Sequence, residues 1–135
     1  MKTRFVMEAA DVKAVAAAAE AEALKQQWPV TIAITDEGGH LLHLQRLDGA
    51  APISAQVAAS KARSAAMGWR ETKGFEDMIN GGRTAFLSVP VVDGLLEGGV
   101  PIMKDGQCIG AVGVSGVKAP EDAQVARAGI AALGL

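Results

Sequence analysis

Two histidines and a handful of charged residues carry whatever chemistry this chain can do. His40 follows Asp36 across Glu37-Gly38-Gly39, a spacing that suits a tight hairpin tip, and a carboxylate beside an imidazole orients the ring and raises its basicity. Asp36 and His40 are therefore a candidate acid/base pair, with Lys61 as a third catalytic candidate. The competing reading is a hydrogen bond that only pins the tip. His43 lies three residues further on, so on a strand it points away from His40, and the two rings cannot clamp one metal ion within a subunit. No metal site is expected.

Arg46, Asp48, Ser54, Lys61, Ser115 and Asp122 fall at expected strand ends and helix edges. They form a candidate ligand-binding set in which Arg46 or Lys61 neutralises a small carboxylate or hydroxy compound. The same side chains would equally make an internal network, with Arg46 or Lys61 paired to Asp48 or Asp122. No G-x-S-x-G elbow occurs, so no nucleophilic triad can be assembled. Gly110, Gly113 and Gly116 lie mostly inside an expected strand, which is the wrong place for a dinucleotide loop. Ser115-Gly116-Val117-Lys118, just ahead of the last expected helix, offers backbone donors and one charge to a small anion.

The elements that must position these groups are legible from periodicity. Residues 8–27 read as a helix with Val12, Ala16, Ala19 and Ala23 on one stripe. A second stripe, Ala10, Ala14, Ala17, Ala21 and Leu24, suits contact with another subunit. Val30 to Asp36 and His40 to Arg46 read as half-buried strands of a hairpin whose three-residue loop pairs Ile34 with Leu42 and Ile32 with Leu44. That register gathers the large aliphatics on one face and puts His43 beside Ala33 on the other. Ile53 to Met67 reads as an alanine-faced helix with Ser54 and Lys61 at its edge. Thr72 is positioned to cap a short helix ending near Ile79, and Ala85 to Val92 reads as an edge or bulged strand around Pro90. Val100 to Lys104 and Gln107 to Ser115 flank Asp105-Gly106, a strong hairpin signal. Pro120 opens a last helix with Glu121 and Asp122 in its first turn. Hairpin-joined strands with packed helices make an α+β fold with an antiparallel sheet of five strands.

Composition limits the partners. The chain has 135 residues, half of them apolar and 21% charged, which fits one domain over 1–135. With a net charge of −2 and no basic run, nucleic acid is not an expected partner. Apolar runs fall well short of the roughly 20 residues that cross a bilayer. The basic start leads into Glu8 and Asp11 rather than an apolar signal core, and Cys108 is a lone cysteine. A cytoplasmic location without membrane association is expected.

The motifs Asp36-x-Gly38-Gly39-His40-Leu41, Arg46-x-Asp48-Gly49-Ala50, Lys61-Ala62, Gly98-Gly99-x-Pro101, Gly110-Ala111-Val112-Gly113-Val114-Ser115-Gly116 and Asp122-x-x-x-Ala126-x-Ala128-Gly129 together resemble the GlcG/HbpS-like family, also called the haem-degrading domain family. The resemblance runs nearly the whole chain in order. It implies a profilin-like, five-stranded antiparallel sheet with flanking helices, assembled as a dimer, tetramer or octamer. It also implies a small-molecule-binding or accessory role in a catabolic pathway such as glycolate or diol use, with haem as the implied ligand. Fold alone does not deliver a reaction. An enzyme of acid/base chemistry on small hydroxy or keto acids, and an oligomeric scaffold subunit, are the alternatives. In tetrapyrrole-binding members the resemblance implies an iron ligand from a histidine on the first helix. Residues 8–27 contain none, so Cys108 and the five methionines are the available sources of an axial ligand, and His43 is read as a core or interface residue.

Overall fold

A run of alanines interrupted by valines builds the first helix, α1 (Ala9–Gln26), with Val12, Val15, Ala16, Ala19 and Ala23 buried. Glu8 precedes it, and the Glu8 N–H donates to Asp11 Oδ2 at 2.8 Å. Gln27 turns left-handed at φ 61° and Trp28 N–H returns to the Ala23 carbonyl, so the helix is already closed before Pro29. Ala10, Ala17, Ala21 and Leu24 are exposed along its outer side and Ala14 is half-buried. The computed structural model describes residues 1–135.

Four antiparallel strands follow: β1 (Thr31–Asp36), β2 (Leu41–Arg46), β3 (Gly99–Lys104) and β4 (Gln107–Ser115). Their order across the sheet is β2-β1-β4-β3. Helix α4 (Ala119–Ala131) packs with α1 on one face. There Ile32, Ile34, Val112 and Val114 meet Val15 and Val125 in the main core, and each such fully buried aliphatic contributes about 1.5–3 kcal/mol. Helix α2 (Ile53–Gly68) covers the other face through small residues, Ala33 against Ala58 and Ala62, and Ala111 against Ala65 and Ala66. The backbones approach so closely that a Cβ on Gly113 of β4 would collide with the Ala58 carbonyl. Helix α3 (Thr72–Asn80) lies beyond α2.

The sheet has four strands rather than the expected five. Thr84–Ser88 winds into a short 3-10 helix instead, with the Phe86 ring packed at a tilt of 55° against Phe75 of α3, 5.7 Å between ring centres. An aromatic partner outside the sheet, and Pro90 without an N–H, leave that segment no ladder to join. β1 also differs from expectation, being buried on both faces because α2 covers the side carrying Thr31, Ala33 and Thr35. Thr72 does not cap α3. It is buried, accepting the Gly99 N–H at 2.8 Å and donating to the Leu96 carbonyl, so it ties the approach to β3 down onto the helix.

The β1–β2 register is the consequential correction. At the tip the hairpin closes as expected, with Asp36 N–H donating to the His40 carbonyl at 3.0 Å and Thr35 opposite Leu41. A bulge then intervenes, and Ile34 faces His43, Ala33 faces Leu44 and Ile32 faces Gln45. One extra residue in one strand moves every later side chain to the opposite face. His43 therefore stands on the α1 side, while Leu42 and Leu44 are 45% exposed instead of meshing with Ile34 and Ile32.

Candidate functional site

The ladder between β1 and β4 runs from Thr31 opposite Ser115 to Asp36 opposite Gly110, and the candidate residues divide between its two ends. At the Ser115 end lie Arg46, which pairs with Thr31, and Ser54, whose hydroxyl sits 2.7 Å from that of Thr31. Lys61 reaches from α2 beneath β4 and donates to the Val114 carbonyl at 2.9 Å and to Asp122 Oδ2 at 3.1 Å. The other Asp122 oxygen accepts the Val117 N–H at 3.1 Å. Both side chains of this pair are only 3% exposed. Burial pushes the Asp122 carboxyl above its usual range, against the pull of the Lys61 charge and the Val117 N–H. The pair joins α2 to α4 through a strand carbonyl. The turn before α4, expected to offer donors to an anion, is already served by the helix's own acids, since Lys118 N–H also donates to Glu121 at 3.3 Å.

At the other end, Asp36 and His40 do come together. The ring Nδ1 lies 3.2 Å from Asp36 Oδ1, and that oxygen also accepts the N–H groups of Gly38 and His40 at 2.9 and 3.0 Å. The imidazole is held but open, with its side chain 81% exposed. Four residues of β4 separate Gly110 from Val114, or about 13 Å at the strand rise. The structure therefore brings Lys61 to Asp122 and not to His40.

Two of the hollows beside α1 contain candidate residues. The larger, ≈ 460 Å³, opens at its C-terminal end and is bordered by Glu20, Trp28, Gln45, Arg46, Leu47 and Asp48 among others. Arg46 is steadied there by its Nε donating to the Ala50 carbonyl at 2.9 Å. The second, ≈ 340 Å³, lies between the first turn of α1 and β2 and is lined by Met7, Glu8, Ala9, Val12, Lys13, Leu42 and His43. Two buried side-chain polar atoms in the chain lack a hydrogen-bond partner, Thr35 Oγ1 and His43 Nε2. Sequence reasoning missed Glu20, Trp28 and Gln45 as neighbours of Arg46 and Asp48, and placed His43 on the wrong face. The doublet Leu41-Leu42, which interrupts strict alternation, was the available sign of the bulge. Cys108 is buried, its thiol pushed up by that burial, and Sγ donates to the Gly110 carbonyl at 3.3 Å.

Comparison with known proteins identifies the framework. GlcG of Escherichia coli K12 is 54% identical over 115 residues, covering 85% of each chain. Streptomyces reticuli HbpS, as a double mutant, superposes with a TM-score of 0.91 at 29% identity, covering 100% of this chain and 92% of that one. The structure of a PduOC–haem complex superposes at 0.86 with 26% identity, covering 95% of both. The family model described as haem degrading protein HbpS-like matches residues 7–131, and the chain belongs to that HbpS-like family.

Proposed function

We propose that this protein is a small-molecule-binding accessory protein and that haem is the ligand to test first, seated in the hollow between β2 and the first turn of α1. The observation that carries the reading is the lining itself. Met7, Ala9, Val12 and Leu42 make an apolar wall around the imidazole of His43, and a mostly apolar pocket with few polar groups is what a macrocycle needs. The residues fit the group at this place, because the imidazole of His43 lines the hollow and its Nε2 has no hydrogen-bond partner, so the ring is free to serve a metal. Lys13 at the rim can meet a propionate. Bound there, haem would supply an iron centre for ligand exchange or electron transfer. A volume of ≈ 340 Å³ is near the low end for such sites, so the macrocycle would be gripped by part of its face. The likeness to the PduOC–haem complex supports the same reading. Titration of the protein with hemin tests it, the expected result being a saturable Soret band at one equivalent per chain. No saturable band would retire haem as the ligand.

A second reading rests on the larger hollow, where Glu20, Gln45, Asp48 and Trp28 offer hydroxyl partners beside an apolar ring and Arg46 offers a carboxylate partner. A small hydroxy acid such as lactate would fit that chemistry, and a thermal shift lost on Asp48→Ala is the expected sign. Self-association belongs to either reading. The outer stripe of α1 and the leucines of the edge strand β2 are uncovered apolar surface, and light scattering of Leu24→Glu against the parent chain tests whether a second copy covers them. A stable oligomer that takes up neither ligand would favour the scaffold alternative.

A further inference from the structure

We propose that His43, on the strand facing α1, supplies the iron ligand that this chain's first helix lacks. The inference rests on the haem reading above and adds the residue that makes it possible.

The argument starts from the bulge. Without it, strict alternation from the tip would send His43 to the α2 side beside Ala33. With it, His43 pairs with Ile34 and lines the hollow against Val12 and Met7. A bulge re-aims a side chain at the cost of ladder regularity, and here the re-aimed side chain is the one imidazole among the residues of that wall. Neither ring nitrogen of His43 takes part in a hydrogen bond, whereas Nδ1 of His40 is engaged by Asp36. A ring with no hydrogen bond to break can turn about its Cβ–Cγ bond to present either nitrogen. Nε2 is shut away from solvent, so binding iron through it would require such a turn toward the hollow, a movement that no hydrogen bond opposes.

The other candidate ligands are less well placed. His40 projects from the hairpin tip into solvent, outside any apolar enclosure. The Cys108 thiol is held in its neutral form by burial and donates to a backbone carbonyl. Met7 lines the same hollow as His43, and its thioether is the natural competitor or opposite axial partner.

The test is hemin titration of the full chain and of His43→Ala, His40→Ala and Met7→Leu, followed by Soret and visible spectra, with imidazole added back to the His43 variant. The wild type and His40→Ala should bind alike. His43→Ala should lose the wild-type spectrum and weaken by about tenfold or more, on the scale of lost metal-site support, and added imidazole should restore the spectrum. If His43→Ala does not keep the wild-type far-UV circular dichroism, His43→Gln takes its place. Saturable binding that His43→Ala leaves unchanged in affinity and spectrum would overturn the assignment while leaving the haem reading intact. Loss of the spectrum in Met7→Leu but not in His43→Ala would move the ligand to Met7. Absence of binding by the wild type would remove both.

Discussion

Two contacts of nearly equal length between a basic side chain and a carboxylate sit at opposite ends of this sheet, Lys61–Asp122 at 3.1 Å and His40–Asp36 at 3.2 Å. Their surroundings differ far more than their geometry. Both members of the first are 3% exposed, while the second is 81% and 32% exposed. In the interior, each charge depends on its partner, because water cannot replace it. At the tip, solvent stands ready to solvate either group. Separation alone therefore says little about what a pair does, and burial decides whether it anchors the fold or remains available for chemistry.

The sharpest test of the difference is to remove one partner from the buried pair. Asp122→Ala leaves the Lys61 ammonium with only the Val114 carbonyl, and unfolding in denaturant should show a loss of about 3–5 kcal/mol. A shift below about 1 kcal/mol would place the pair with surface ion pairs and break the comparison. Replacing both groups together, as Lys61→Met with Asp122→Leu, should recover most of that loss, since apolar residues of similar volume often substitute for a buried pair without penalty. With the single variants Lys61→Met and Asp122→Leu completing the double-mutant cycle, the coupling energy should reach about 3 kcal/mol, the upper end for residues in contact.

Acid titration separates the pairs in another way. Burial raises the Asp122 carboxyl above its ordinary value of 3.8, so the native state keeps that proton to higher pH than the unfolded chain does. The stability this group contributes is full below 3.8 and falls as pH rises through the raised value. Asp122→Asn should flatten that segment of the stability–pH curve, and an unchanged slope would mean that Lys61 outweighs burial.

The sequence made the helices legible because alanine and valine repeat at 3.6-residue spacing, and it made the β3–β4 hairpin legible because Asp105-Gly106 leaves few alternatives. It offered Lys61 with Asp122 as one of several internal pairings without singling it out, since that contact crosses 61 positions and depends on how α2 and α4 dock. The fifth strand failed because Phe86 found an aromatic partner outside the sheet. His43 was misplaced by one residue of bulge, because a correctly aligned tip carries its register forward unless the Leu41-Leu42 doublet is taken as a break in the alternation.

At the exposed end, effects on stability should be smaller. Asp36→Ala removes the acceptor for the Gly38 and His40 N–H groups and should cost about 1–2 kcal/mol, the scale of backbone donors left without a protein partner near the surface. His40→Ala should change stability by less than about 0.5 kcal/mol, as surface substitutions usually do. That small cost makes His40→Ala a clean chemical probe. An oriented imidazole facing solvent has the form of a general base awaiting a substrate, and the enzyme alternative places His40 in that role. If the protein turns over a small hydroxy or keto acid, His40→Ala should abolish turnover while the unfolding midpoint stays where it was. Turnover that survives the substitution would leave the ring as a brace for the hairpin tip, and the contrast between the two ends would then be one of burial alone.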